Sequence, residues 1–297
     1  MKRIIVTGGS GFLGGHLVVE GAESFSITAT YNEHSCKLSG AAWQQLNLEN
    51  PADIETLIRE VRPAAIVHTA ALAAVDECET NREKADRINI QATEILARLA
   101  QELNSRMIYV STDMVFDGQK GNYTESDEVN PVNYYGQTKF KAEKKVQSIC
   151  SNYVVARTAL IYGASRTSSI SFYENMLRRL YNRQPVFLFD DQYRTPIWVT
   201  NLARLLLELV EHSYVGTLHL GGPQRMQRYE FGAEAASVFG LSMESVEVKS
   251  MDEIITPAAR PRDVSFDISR ARSIMKTLFV PSKTAFEFER AHKLFQF

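Results

Sequence analysis

Short runs of β-branched and apolar residues alternate with longer stretches whose apolar positions recur every three or four residues. This holds over the first 160 or so of 297 residues. Strands are expected at Arg3–Thr7, Phe25–Tyr31, Ala64–Thr69, Arg106–Ser111 and Tyr153–Thr158, each short and mostly closed by small or polar residues. Helices are expected between them, at Phe12–Gly21, Pro51–Val61, Asn81–Asn104 and Tyr134–Ile149, with Pro51 suited to a first helical turn. Such alternation is the signature of βαβ units feeding a parallel sheet. Beyond residue 160 it becomes irregular, with helices expected at Ser168–Asn182, Val199–His212, Tyr229–Phe239 and Ser282–Phe295. The fold class is therefore α/β: a doubly wound, Rossmann-type parallel sheet over residues 1–160, and a smaller C-terminal α/β lobe, mainly substrate-binding, over 161–297. The chain is free to cross back to the first domain.

Composition narrows the function. At 44% hydrophobic and 23% charged the chain is ordinary for a globular protein. Lys+Arg 33 against Asp+Glu 35 leaves no basic field to gather nucleic acid. Cys36, Cys78 and Cys150 lie far apart, giving neither a disulfide framework nor a zinc motif, and reduced cytoplasm is the simplest setting. No run of about 20 apolar residues suggests a membrane span, and the apolar stretch after Lys2 and Arg3 is too short for a signal-peptide core. His68, with no second ligand spaced nearby, reads as a satisfied core histidine, and no metal is expected.

The first chemical signal is Thr7-Gly8-Gly9-Ser10-Gly11-Phe12-Leu13-Gly14, between the first strand and the first helix. Glycines there permit a tight turn and close approach of the backbone to a pyrophosphate, whose charge meets the helix N-terminus. An acid about 20 residues further on would select NAD(H) through the ribose 2′-hydroxyl. The second strand ends in Thr30-Tyr31-Asn32 instead, which favours NADP(H) over NAD(H), with His34, Ser35 and Lys37 available to a 2′-phosphate. Two readings stay open: Glu33 turned to the ribose, and Lys37 as a solvated loop residue.

The second signal is Tyr134-Tyr135-Gly136-Gln137-Thr138-Lys139. Tyr135 and Lys139 are four apart on a predicted helix and share a face. A phenol titrates near pH ~10 unless a cation stabilises its anion, so a lysine one turn away suits it to proton transfer. Tyr134 has Thr138 at that spacing. Ser111-Thr112-Asp113 ends the strand before this helix, where parallel sheets bind ligands. Lys141, Lys144 and Lys145 read as a solvated face.

Together these motifs resemble the extended short-chain dehydrogenase/reductase family. The finer match is to its dTDP-4-dehydrorhamnose reductase branch, through Ala70-Ala71, Val75-Asp76, Asn89, Val115-Phe116-Asp117-Gly118, Arg157-Thr158 and Arg260-Pro261-Arg262-Asp263. The resemblance implies that Thr112, or its neighbour Ser111, orients the substrate carbonyl. It implies that Tyr135 donates the proton, and that Lys139 also binds the nicotinamide ribose. It implies a cofactor site at Gly8, Ser10, Gly11, Phe12, Leu13, Gly14, Tyr31, Asn47, Leu48, Ala70, Ala71, Tyr135 and Lys139. Asn89 is similar to a family asparagine that holds a proton-relay water, and reads equally as a helix-bend residue.

Three departures bear on the substrate. Met114 stands where the branch has tyrosine, Leu160 where it has tryptophan, and Leu72-Ala73 where tyrosine and threonine are usual. Met114 and Leu160 are thus the candidate substrate contacts, in a more apolar pocket than a sugar normally meets. The expected activity is NAD(P)H-dependent reduction of a nucleotide-sugar 4-keto group, with no nucleic-acid or membrane partner and with room for a homodimer. The alternatives are a non-catalytic dinucleotide-binding subunit resembling the methionine adenosyltransferase β subunit, and a sugar-nucleotide epimerase or dehydratase. Dehydratases carry an acidic pair beside the threonine, where this chain offers only Asp113.

Overall fold

A computed structural model describes residues 1–36 and 38–295. Its first half runs β1 (Lys2–Thr7), α1 (Phe12–Gly21), β2 (Phe25–Tyr31), β3 (Ala41–Gln45), α2 (Pro51–Val61), β4 (Ala65–His68), α3 (Val75–Thr80), α4 (Arg82–Ala85), α5 (Ala92–Glu102), β5 (Arg106–Thr112), α6 (Tyr134–Ile149) and β6 (Tyr153–Thr158). The second half adds β7 (Ile161–Tyr162), α7 (Phe172–Tyr181), β8 (Val186–Phe189), β9 (Tyr193–Arg194), β10 (Ile197–Trp198), α8 (Val199–Glu211), β11 (Gly216–Leu220), β12 (Met226–Gln227), α9 (Arg228–Phe239), β13 (Val246–Lys249), α10 (Ser269–Ile274) and α11 (Ser282–Ala291).

Seven strands form the central sheet in the order β11-β6-β5-β4-β1-β2-β3, every pair parallel. The direction of winding reverses between β1 and β4, the crevice where doubly wound sheets take ligands. Both faces are covered, which explains the unbroken apolar strands. Along β1, Ile4 and Val6 enter the core shared with α1, α8 and the C-terminal lobe, while Ile5 enters the core under α2, α5 and α6. The chain beyond residue 160 returns to this sheet, since Gly216–Leu220 pairs with Val154–Thr158 and α8 packs on α1. Three two-stranded pairs, β8–β13, β9–β12 and β7–β10, lie outside that sheet.

Local chemistry sets the helix starts that matter. Asn50 accepts from Ala52 N and puts Pro51 in the first turn of α2. Asn133 Oδ1 accepts from Gly136 N at 2.9 Å, beginning α6 one residue before Tyr135. Two sequence expectations are corrected. Ala41–Gln45 is an unforeseen strand, paired only with β2 at the sheet edge and half exposed, so it lacks an apolar alternation. Asn81–Asn104 is not one α-helix. A π-helical turn at Asp86–Gln91 separates α4 from α5, and its widened backbone carries Asn89.

A buried ion pair ties β5 and β6 to α6. Arg157 donates to Glu143 through Nε (3.0 Å) and Nη2 (2.8 Å), and Ser111 Oγ donates to Glu143 at 2.5 Å. Both charged side chains are almost fully buried, so losing one partner strands the other in a dry site. Arg157→Leu is expected to lower the unfolding free energy by about 3–5 kcal/mol in urea titrations. Arg157→Leu with Glu143→Leu should cost less than the sum of the single changes. A loss below about 1 kcal/mol for each single change would contradict this assignment.

Candidate active site

The β1–α1 turn is built by contacts that side chains would prevent. Gly8 has φ +70°, and a Cβ on it would lie 2.9 Å from the Ala70 backbone. A Cβ on Gly14 would lie 2.0 Å from the Gly8 carbonyl oxygen. Gly11 is the N-cap of helix α1, with no side-chain cap and no acid in the first turn, which leaves the N–H groups after Gly11 without a side-chain partner. A cleft of about 510 Å³ opens over this turn. Its walls hold Gly8, Ser10, Gly11, Phe12, Leu13 and Gly14 from the turn, Tyr31 from β2, Asn47 and Leu48 after β3, and Ala70 and Ala71 after β4. Of the thirteen cofactor positions named from sequence, these eleven line the cleft, and Tyr135 and Lys139 do not. These uncapped N–H groups and the glycine cradle fit the pyrophosphate of a nicotinamide dinucleotide. Leu72, Ala73, Lys84 and Ile88 also line the cleft.

Thr112, Tyr135 and Lys139 come together at the carboxyl end of β5. Lys139 is 3% exposed, and its ammonium donates to Val110 O at 2.7 Å and lies 4.2 Å from the centre of the Tyr109 ring. Burial lowers its pKa to about 7, with Glu143 and then Cys78 opposing the shift. Burial pushes the Tyr135 phenol well above its ordinary range. The charges of Asp113 and Cys78 add to that shift, and a hydrogen bond with the Thr112 side chain opposes it. Thr112 Oγ1 donates to Asp113 Oδ1 at 3.1 Å and accepts from Met114 N at 3.2 Å.

Asn89 connects this group to the dinucleotide cleft. Its Oδ1 accepts from Leu72 N at 2.9 Å, and its Nδ2 donates to Leu72 O (3.1 Å) and Thr138 Oγ1 (3.0 Å). Every polar atom of the amide is thereby engaged by protein, in a π-helical turn. Asn89 acts here as a clamp between the loop after β4 and helix α6. His68 is likewise satisfied: Nδ1 pairs with Thr7 Oγ1 at 2.7 Å and Nε2 with Thr93 Oγ1 at 3.0 Å, and burial holds its pKa near 3.

A second cavity, about 630 Å³, shares no lining residue with the dinucleotide cleft. Met114 and Leu160 both line it, as does Arg194. Arg194 Nε lies 3.5 Å from Asp113 Oδ2, and its other nitrogens donate to the carbonyls of Tyr193, Pro261 and Arg262. Burial raises the Asp113 pKa, and Arg194 opposes that rise. Arg260 pairs with Asp76 at 3.0 Å, and Arg262 pairs with Asp191 and Asp252. Arg228, half-buried in the same wall, stacks 3.7 Å over the Phe172 ring and has no carboxylate partner among the described residues. Its pKa falls to about 9 through burial and then the repulsion of Arg194. Sequence reading missed Arg194 and Arg228, which lie in the irregular half with no local motif around them.

Thr112, Tyr135 and Lys139 line neither cavity; Asn89 bonds helix α6 to Leu72 in the wall of one, and Thr112 accepts from Met114 N in the wall of the other. His34 and Ser35 line a separate groove that shares only Ser10 with the dinucleotide cleft, and Lys37 lies outside the described residues. All three cysteines are free. Among the described residues no cluster of three metal-ligating side chains occurs, and no helix is long and apolar enough to cross a membrane.

Comparison with known proteins agrees with this layout. The family model described as RmlD substrate binding domain matches residues 1–287. A crystal structure of a hypothetical dTDP-4-dehydrorhamnose reductase from Sulfolobus tokodaii superposes with TM-score 0.84 at 34% identity, covering 93% of this chain and 96% of that one. The dTDP-4-dehydrorhamnose reductase of Bacillus anthracis, in complex with NADP, has TM-score 0.84 at 26% identity, covering 98% and 99%. Methionine adenosyltransferase 2 subunit beta of Xenopus tropicalis is 30% identical over 281 residues, 92% of this chain and 82% of that protein. With its seven-stranded parallel sheet, glycine turn and Tyr135/Lys139 pair, the chain belongs to the RmlD substrate binding domain family, as a dTDP-4-dehydrorhamnose reductase-like member of the extended short-chain dehydrogenases/reductases.

Proposed function

We propose that this protein reduces the 4-keto group of a nucleotide-linked hexose with NADPH. The observation that carries the reading is that Lys139, on the helix of Tyr135, meets Thr112 at the carboxyl end of β5; Asn89 bonds that helix to Leu72 of the dinucleotide cleft, while Thr112 bonds to Met114 of the second cavity. When bound, a nicotinamide dinucleotide supplies the hydride. Thr112 holds the carbonyl oxygen through its hydroxyl, Tyr135 gives its phenolic proton to that oxygen as negative charge develops, and the Lys139 ammonium stabilises the phenolate left behind. Gly8, Ser10, Gly11, Phe12, Leu13 and Gly14 hold the pyrophosphate. Tyr31, Asn47 and Leu48 hold the adenosine, and Ala70, Ala71, Tyr135 and Lys139 the nicotinamide half.

The sugar nucleotide occupies the second cavity, with residues 161–297 supplying most of its contacts. Met114 and Leu160 face the ring, and Arg228, the cation of that wall without a carboxylate, meets the diphosphate. The absence of an acid at Tyr31 and Asn32 supports NADP(H), and the cysteine pattern supports a cytoplasmic setting. The likeness to methionine adenosyltransferase β subunits supports a second reading, a dinucleotide-binding regulatory subunit in which the same cleft is filled without turnover.

NADPH oxidation followed at 340 nm with a panel of nucleotide 4-keto sugars tests the first reading. Turnover is expected, and Tyr135→Phe should lower kcat by about 100- to 10,000-fold with dinucleotide binding retained. Binding without turnover on any sugar would favour the regulatory subunit. By calorimetry, Arg228→Leu should weaken nucleoside diphosphate binding about tenfold or more and leave dinucleotide binding unchanged; an unchanged diphosphate affinity would remove Arg228 from the site.

The buried ammonium also sets a pH dependence. Lys139 titrates near 7 in the fold against an ordinary 10.5. Between those values the unfolded chain binds a proton that the folded chain does not, so this group's contribution to stability improves as pH rises from 7 to 10. Below pH 7 both states are protonated and the full burial cost remains. Ligand-free Lys139→Met should be more stable than wild type by on the order of a few kcal/mol at pH 6, with the gain shrinking toward pH 10. A gain independent of pH would show that the lysine is not desolvated.

A further inference from the structure

Beside the dinucleotide cleft lies a smaller groove, about 390 Å³, whose polar walls come from distant parts of the chain: Ser10, His34 and Ser35 on one side, Arg166 and Ser168 on the other. Ser10 belongs to both cavities. Tyr31, Asn32 and Glu33 line the cleft where β2 ends, and His34 and Ser35 follow them directly into the groove. The chain leaving β2 thus runs from the wall of the cleft into the wall of the groove that Arg166 also lines.

The loop that carries Arg166 is fixed in place. His16 is buried, and burial lowers its pKa to about 4, so the neutral ring donates from Nε2 to Ala164 O at 2.9 Å. Its Nδ1 is left to accept from Thr200 Oγ1 at 3.2 Å. Ser165 N donates to Glu174 Oε2, and Thr167 N donates to Ser165 Oγ. Thr167 seats on Gly15 of α1, where a Cβ would lie 2.5 Å from Thr167 Cγ2. This explains a glycine just after the cradle that no pyrophosphate contact requires. The Arg166 side chain is exposed and makes no hydrogen bond or ion pair among the described residues. A guanidinium held at the rim of a groove with three hydroxyls, and left without a carboxylate, suits a phosphomonoester.

We propose that this groove is a phosphomonoester subsite in which Arg166, from the second lobe, receives the 2′-phosphate of NADP(H), with Ser10, Ser35 and Ser168 completing the ring of donors. The assignment rests on the cleft holding a dinucleotide and adds which residue distinguishes its two forms. Discrimination then comes from beyond the first 160 residues, 135 positions after the end of the strand that holds the ribose. Glu33 stays at the cleft, where its carboxylate opposes a dianion unless a cation offsets it.

Fluorescence titrations of NADPH and NADH into wild type, Arg166→Ala and Arg166→Glu test this directly, with 2′,5′-ADP and 5′-AMP as probes that lack nicotinamide. Arg166→Ala should weaken NADPH and 2′,5′-ADP about tenfold or more, shift NADH and 5′-AMP less than about twofold, and leave the melting temperature unchanged. Arg166→Glu should reverse the preference toward NADH. Parallel changes for NADPH and NADH, or no change for NADPH, would overturn the assignment while the dinucleotide cleft stood. Wild-type protein binding neither dinucleotide would overturn both. Inorganic phosphate competing with NADH as well as with NADPH would place the anion in the pyrophosphate cradle and remove the subsite.

Discussion

Everything at the centre of this molecule depends on keeping one ammonium group dry and in place. Lys139 sits inside the protein, donating to Val110 O, with the face of Tyr109 beneath it. A desolvated cation is costly, and its cost is offset only where fixed dipoles and charges surround it. Here those come from β5 and from Glu143 one turn along α6, the same carboxylate that gathers Ser111 and Arg157. The ion pair therefore serves two ends. It fixes α6 against the strand that carries Thr112, and it supplies negative charge behind the lysine.

From that anchor the site is ordered outward by short bonds. Asn133 starts α6 and donates to Ala259 O, so the helix that carries Tyr135 also holds the loop before the Arg260–Asp263 tail. Asn89 fastens the same helix to the wall of the dinucleotide cleft through Thr138 and Leu72. Asp76 accepts from Ala258 N and pairs with Arg260, closing the contact between the loop after β4 and the second lobe. Three arginines of the second cavity are neutralised within the protein. Arg228 and Arg166, in two separate cavities, have no ion pair among the described residues.

What was legible in the sequence follows from how local each signal is. The glycine turn and Tyr135/Lys139 each lie within a few residues and depend on backbone geometry that only certain residues allow, so their positions carried over directly to the cleft walls and to helix α6. Edge strand β3 was missed because Ala41-Ala42-Trp43-Gln44-Gln45 pairs on one side only and faces solvent along much of its length. The helix over residues 81–104 was read as continuous because a π-turn preserves its amphipathic pattern while shifting it by one residue. Return of the chain to the main sheet at Gly216–Leu220, and the approach of Arg194 to Asp113 across 81 positions, are products of topology. No window of sequence holds both partners.

On the proposed function, Thr112, Tyr135 and Lys139 manage a proton while hydride passes from a bound dinucleotide to a ketone. The most direct measurement is deuterium transfer from stereospecifically labelled [4-²H]NADPH to a nucleotide 4-keto sugar, read by mass spectrometry and NMR of the product. The account predicts one deuterium on the carbinol carbon from one face of the nicotinamide, and unlabelled product from the opposite isotopomer. Deuterium from both faces alike, or a reduced sugar carrying none from either, would contradict it.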